Sequence, residues 1–345
     1  MQLAIESEWT AAGAKRGHAQ LLLTRWLAGE TPDSACARRH APFPATLVAR
    51  LPEISAQLEA TARIASRHPS SDGSTRRLVE MADGKTVECV LLLRDGVCLS
   101  TQIGCAVGCR FCKTGEGGLL RQLSADEILA QFALAQRERH GHGQAPLRRV
   151  VLMGMGEPAH NLAAVLRAIS VLGTAARLGH KQIVYSTVGD PRALEALAGH
   201  DVKPALALSL HTMDDALRTR LLPRAPRIAV RELLELALDY ARATGHPLQV
   251  QWTLRCGIND GDGEIDELAR AIGAARAIVN VIPWNSVDGA EFQRPPMARV
   301  VEFVRALKLR GVFATIRRSA GSDVDGACGQ LRSRTKPEAM AGAKS

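Results

Sequence analysis

The sequence predicts an α/β protein built around a parallel sheet. Three observations carry that prediction. From residue 97 onward short apolar runs alternate with segments of helical period; a period-two stretch before it reads as a hairpin; and 345 residues suit one barrel-sized catalytic unit with a small accessory piece. A partial (β/α) barrel and a doubly wound open sheet both satisfy the alternation.

The elements follow in order. Residues 8–27 and 45–67 space apolar side chains three and four apart and read as helices separated by a Pro-containing stretch, which makes 1–68 a helical accessory domain. Residues 76–81, the turn Asp83-Gly84 and residues 85–93 form the hairpin. A second Asp-Gly, at 95 and 96, leads into the first strand of the alternation, 97–102. Helix 125–139, strand 149–153, helix 162–172, strand 183–187, helix 192–198 and strand 205–210 come next. Helix 230–243, strand 249–255, helix 264–275 and strand 279–282 continue the pattern, and helix 298–309 with strand 312–316 closes it. The catalytic domain is thus expected over 69–332, with a hairpin extension at 76–93 and a cysteine loop at 104–118, before a flexible polar tail at 333–345.

Composition excludes several classes. Hydrophobic residues at 46% and charged residues at 23% are ordinary for a soluble globular protein. No run of about 18 apolar residues and no secretory signal pattern occurs, so the expectation is a cytoplasmic protein without membrane association. A formal net charge of +9 favours a polyanionic partner. With only 12 aromatic residues, extensive base stacking is not expected, and phosphate and shape contacts have to dominate. Arg148, Arg149, Arg317, Arg318, Arg332, Arg334 and Lys336 are candidates for such contacts, and a solvated basic face is the alternative.

The eight cysteines are not read as a disulfide framework in a reducing compartment. Cys36, Cys89, Cys98, Cys256 and Cys328 are scattered, whereas Cys105, Cys109 and Cys112 share a Gly-containing loop between a strand and a helix. Soft thiolates at that spacing suit an iron-sulfur cluster or zinc. A structural site wants four ligands and no fourth cysteine is close in sequence, whereas three thiolates on a four-iron cluster leave one iron open for substrate.

C-x3-C-x2-C with Phe111 before its last cysteine resembles the signature of the radical S-adenosylmethionine superfamily. Further motifs make the resemblance specific: Ser70-Ser71-Asp72-Gly73, Val87-Glu88, residues 98–112, Met153-Gly154-Met155-Gly156-Glu157-Pro158, Ser186-Thr187, Ser209-Leu210-His211, Ile282-Pro283-Trp284-Asn285 and the run from Asp325 to Gln330. Over about residues 70–332 the chain is similar to the RlmN/Cfr family of adenine methyltransferases of ribosomal and transfer RNA. Beyond being helical, the first 65 or so residues show no such likeness.

The resemblance implies a partial (β/α)6 barrel of the TIM type, a 4Fe-4S cluster on Cys105, Cys109 and Cys112, and S-adenosylmethionine bound by Gly156, Glu157, Ser186, Ser209, Leu210, His211 and Asn285. It implies structured RNA (rRNA or tRNA) as partner and a reducing electron donor of flavodoxin or ferredoxin type. It also implies a route. Carbon 2 or carbon 8 of adenine is a poor nucleophile, so Cys328 is first methylated, a radical then takes hydrogen from that methyl group, and the methylene radical adds to the ring. Glu88 is matched to the proton acceptor, and Cys98 to the thiol that releases product by forming a transient disulfide with Cys328. Read alone, Glu88 is a solvated hairpin charge, Cys98 and Cys328 are small buried groups, and the serines, His211 and Asn285 are strand-end caps. Met153 and Met155 are read as packing beside the cofactor turn, and His140 and His142 as solvated loop residues. Two rivals remain at this point. A radical enzyme acting on another substrate needs no methyl-carrying cysteine, and a zinc-stabilised nucleic-acid-binding protein is colourless.

Overall fold

The computed structural model describes residues 3–31, 43–285 and 291–332. The expected tail at 333–345, with Arg334 and Lys336, and Cys36 lie outside them.

A ten-stranded sheet runs through the molecule, and its strand order follows the chain. It begins with β1 (Ala62–Pro69), β2 (Thr75–Met81) and β3 (Thr86–Leu92), which are antiparallel, and β3 pairs antiparallel with β4 (Gly96–Cys98). A separate two-stranded ribbon, β5 (Gln102–Gly104) with β6 (Leu119–Gln122), brackets the cysteine loop. From β4 the main sheet continues in parallel through β7 (Arg149–Leu152), β8 (Ile183–Thr187), β9 (Ala205–Ser209), β10 (Leu248–Leu254), β11 (Ala277–Pro283) and β12 (Ala314–Ile316). A doubly wound sheet reverses its strand order at a switch point; this one never does, and β4 and β12 do not pair. The expected α/β architecture is therefore realised as an open, singly wound partial barrel.

Ten helices complete the described fold: α1 (Ala4–Ala11), α2 (Arg16–Leu27), α3 (Ala45–Thr61), α4 (Ala125–Gly141), α5 (Leu162–Thr174), α6 (Pro191–Gly199), α7 (Asp215–Leu221), α8 (Val230–Thr244), α9 (Asp262–Ile272) and α10 (Met297–Leu309). Local chemistry sets their ends. Ser124 and Glu127 form a reciprocal capping box on α4, Asp190 caps α6 ahead of Pro191, and α8 stops at left-handed Gly245. The parallel strands are buried on both faces, with helices packed on one and the barrel interior on the other; in β8 the Ile183, Val184 and Tyr185 side chains are all buried.

Two expectations need correction. The helix expected to reach Arg67 ends at Thr61, and residues 62–69 form β1, in register with β2 from Ala62 opposite Met81 to Pro69 opposite Thr75. Extended backbone lets Arg63 reach Glu80 on the neighbouring strand, and Arg67 reaches Glu138 on α4. The accessory helices thus end seven residues before the expected limit at 68. The helix expected at 8–27 is two, broken at Gly13, whose φ is +89°. Strand 97–102 likewise divides between β4 and β5. The N-terminal helices pack on the barrel, with Glu6 paired to Arg167 and Glu59 to Arg137. No helix among the described residues is long and apolar enough to cross a membrane.

Candidate active site

The C-terminal ends of the parallel strands open on two adjoining chambers. The smaller, about 150 Å³, is walled by Cys105, Cys109 and Cys112 on one side and by Gly156, Glu157, Ser186, Ser209 and His211 from strand ends on the other. The larger, about 760 Å³, contains Cys98, Asn285, Arg294 and Arg318. Met153, Arg317 and Cys328 belong to both walls. Small-molecule sites usually enclose about 300–1,000 Å³. The thiol chamber falls below that range and the larger chamber within it, so a cluster with its cofactor would need space beyond the thiol chamber.

The cysteine loop is closed by glycine. Gly104 has φ +79°, its Cβ would fall 2.0 Å from the Gly118 carbonyl oxygen, and that oxygen accepts the Cys105 N–H at 2.9 Å. The loop has its own apolar nest, in which Val107 and Phe111 meet Val188, Leu221, Leu222 and Trp284. Burial pushes the Cys105 thiol up to about 12 and raises Cys109 and Cys112 too, with repulsion from neighbouring thiols, Cys328 beside Cys112 among them, adding to it. The thiols are consequently neutral until a metal replaces their protons. Among the described residues no three His, Cys, Asp or Glu side chains are gathered to hold a single ion. Three thiols ringing a chamber fit a multi-iron cluster, which spaces its ligands over separate irons. The chain end also supplies what sequence proximity hid: Cys328 is a fourth thiol on the same chamber.

Glu157 is buried, and its carboxylate accepts the Ala159 N–H at 3.1 Å and the Val188 N–H at 2.9 Å. Burial nevertheless raises it to about 6. Gly156 has φ +101°, and a Cβ there would meet the Gln102 Cβ at 2.6 Å, so the glycine is required by the β5 backbone as well as by any ligand. His211 has φ +68°, a left-handed conformation costly for a residue with a side chain. Asn259 holds it there, accepting the Arg255 N–H at 2.7 Å and donating to the His211 carbonyl at 2.6 Å. The His211 Nδ1 accepts the Thr253 N–H at 3.0 Å, and burial lowers the imidazole well below its ordinary value. The ring is therefore neutral with its proton on Nε2.

Cys98 and Cys328, 230 positions apart in sequence, are free thiols on the same chamber. Burial and the neighbouring Cys328 raise the Cys98 thiol, while the Met153 N–H and Arg317 oppose the rise. The Cys328 loop is pinned from several elements: Asn285 Nδ2 donates to the Cys328 carbonyl at 3.2 Å, Lys113 N–H to the Gly329 carbonyl at 2.8 Å, and Thr114 Oγ1 to the Leu331 carbonyl at 2.6 Å. Asp72 accepts the Gly321 N–H at 2.9 Å, and Asp323 accepts the Ser71 N–H at 2.9 Å.

Two expected site residues, Glu88 and Leu210, stand on neither chamber. Glu88 is neither solvated nor on either chamber: it is fully buried in β3, ion-paired with Arg76, and accepts the Arg332 N–H at 2.9 Å. Arg76 also donates to the Val324 carbonyl, so the pair grips both ends of the Cys328 loop. Asn285 lines the larger chamber, where its amide donates to Ser319 and to the Cys328 carbonyl. Leu210 lies in the core and on neither wall. The basic candidates divide as well. Arg149 begins β7, so it and Arg148 lie at the strand ends opposite the chambers. Arg317 is committed to Gln251 and Met153, whereas Arg318 lines the larger chamber. Met155 packs in the core, but Met153 stands between the chambers.

Sequence reasoning missed Gln251, Arg218 and Arg255. Gln251 lines the thiol chamber with its Oε1 held by Arg317 and its Nε2 without an acceptor. Arg218 donates to the Val188 carbonyl beside Glu157. Trp284, within a recognised motif, donates Nε1 to the Phe111 carbonyl and seats the cysteine loop.

Comparison with known proteins finds similar chains and a matching family. Residues 99–272, about half of the chain, match the radical SAM superfamily. A probable RNA methyltransferase of Methylibium petroleiphilum is 54% identical over 94% of this chain and 90% of its own. One from Bordetella avium is 53% identical over 94% and 91%. The crystal structure of a radical SAM methyltransferase from Sphaerobacter thermophilus superposes with a TM-score of 0.83 at 34% identity, covering 95% of this chain and 96% of that one.

Proposed function

This chain belongs to the radical SAM superfamily, and we propose that it methylates carbon 2 of an adenine in structured rRNA or tRNA through a methyl group carried on Cys328. It is a radical SAM RNA methyltransferase that uses a 4Fe-4S cluster and S-adenosylmethionine. The cluster and cofactor, when bound, supply the methyl group and the carbon radical. Everything else is the work of the chain.

Cys105, Cys109 and Cys112 hold the cluster. Glu157 accepts from the cofactor ammonium when ionised, and Ser186, Ser209, the His211 Nε2–H and the Gln251 amide offer the remaining polar contacts in the thiol chamber. Cys328 takes the methyl group on its sulfur and, once a hydrogen atom has been removed from that methyl, presents the resulting methylene to the adenine. The adduct loses its ring proton to a base and one electron, which the bound cluster would take up; Cys98 then attacks the Cys328 sulfur, the sulfur–methylene bond breaks, and the freed carbon takes up a proton to become the methyl group, leaving a disulfide that an external thiol reduces. Arg294 and Arg318 meet RNA phosphate at the larger chamber, with the target base out of its stack. A low-potential flavodoxin or ferredoxin supplies the electron, and the compartment is the cytoplasm. Glu88 serves this reading by holding the Cys328 loop, and its use as proton acceptor is not proposed.

The observation that carries the reading is the place of Cys328 on the wall common to both chambers, with Cys98 on the far one. A methyl carrier needs that position and a structural cysteine does not. Mass spectrometry of RNA from cells with and without the chain tests it. The expected result is loss of 2-methyladenosine; an unchanged nucleoside profile would remove the RNA assignment, and loss of 8-methyladenosine would move the target carbon.

A further inference from the structure

Arg255, just past the end of β10, is fully buried, and none of its three guanidinium nitrogens has a hydrogen-bond partner. Its backbone is locked by Asn259. The guanidinium carbon sits 3.8 Å from the centroid of the Phe111 ring and 5.4 Å from that of Phe292. Cation–π contact with the two rings offsets only part of the cost of a desolvated, unpaired buried charge. The rings alone do not balance it.

An anion is missing, and the neighbours say where it belongs. Among the described residues Arg255 makes no ion pair. The other groups that face it are His211, which is neutral, and Cys109. Phe111, under the guanidinium, lies between Cys109 and Cys112 in the loop. A 4Fe-4S core on three thiolates is anionic and gains a further negative charge on reduction.

We propose that Arg255 is the counter-charge of the iron-sulfur centre, a positioning residue stacked on Phe111 that favours the reduced cluster. The proposal rests on the reading that the cysteine triplet holds a cluster. Net charge near a cluster is one of the main settings of its potential. Arg255 also explains an otherwise costly choice of residue: guanidinium tolerates stacking and partial desolvation better than ammonium does.

The test uses the full chain, anaerobically reconstituted, as wild type, Arg255→Met and Arg255→Lys. Redox titration followed by electron paramagnetic resonance, without S-adenosylmethionine, should show the Met variant's reduction equilibrium displaced at least tenfold toward the oxidised cluster, about 59 mV for one electron. The Lys variant should recover most of the shift. Thermal unfolding of the apoproteins should move the other way, with Arg255→Met at least as stable as wild type because an unpaired buried charge has gone. A Met variant with wild-type potential overturns the proposal. So does weaker S-adenosylmethionine binding at unchanged potential, which assigns Arg255 to the cofactor carboxylate, and so does an apo Met variant that unfolds, which makes the arginine structural. Wild-type protein that takes up no iron fails the underlying reading instead.

Discussion

Glu88→Gln separates two roles for one carboxylate. In the fold, Glu88 pairs with Arg76, both side chains are buried, and the pair reaches the Cys328 loop through the Val324 carbonyl and the Arg332 N–H. Glutamine keeps an acceptor for Arg332 but removes the charge opposite Arg76. Breaking a buried pair from one side costs about 3–5 kcal/mol, and the retained hydrogen bond returns about 1 kcal/mol, so a loss near 3 kcal/mol is expected. Urea unfolding of the apoproteins measures it. Arg76→Met combined with Glu88→Gln should recover part of the loss, since no buried charge is then left alone. Methylation should fail early, with little S-methyl on Cys328, because the loop bearing that sulfur is no longer held. A variant that loses less than about 1 kcal/mol, methylates Cys328 normally and accumulates a covalent RNA adduct would show that Glu88 removes the ring proton, and the clamp account would be wrong.

Further expectations follow from the same geometry. Gly156→Ala should lose about 2 kcal/mol or more and most cofactor affinity, measured by unfolding and by equilibrium dialysis with S-adenosylmethionine, since φ is +101° and the new Cβ would strike Gln102. Burial raises Glu157 from 4.5 to about 6, so the folded chain binds the extra proton in that window; its contribution to stability therefore falls as pH rises through it, while S-adenosylmethionine affinity rises as the carboxylate ionises. Unfolding and binding measured between pH 4.5 and 7 should move in opposite directions. Cys328→Ala should retain about four irons, as three thiolates and an open iron require; a fall in iron content would make Cys328 a ligand.

Much of the barrel was readable because parallel strands covered on both faces are written as short apolar runs, such as Ile183-Val184-Tyr185, between amphipathic helices like α8 and α9. β1 was not, because Ala62-Arg63-Ile64 follows the helix without a Gly or Pro, and only pairing with β2 decides its conformation. The short helix α7 was missed although Asp214, which caps it through the Leu217 N–H at 2.7 Å, was a usable signal. Cys105, Cys109 and Cys112 were legible from spacing. Arg255 was not, since nothing local distinguishes a buried arginine from a solvated one. The same limit applies to Glu88, since tertiary burial beside Arg76 is invisible in a hairpin sequence.

The claim that Cys328 carries the methyl group is tested most directly by isotope. Holoenzyme is incubated with RNA and S-adenosylmethionine labelled with three deuteriums in its methyl group, and both protein and RNA are analysed by mass spectrometry. The account predicts labelled S-methylcysteine at Cys328 and an adenine methyl that retains two of the three deuteriums, one having left with the abstracted hydrogen. An adenine methyl that keeps all three, with Cys328 unlabelled, would contradict it.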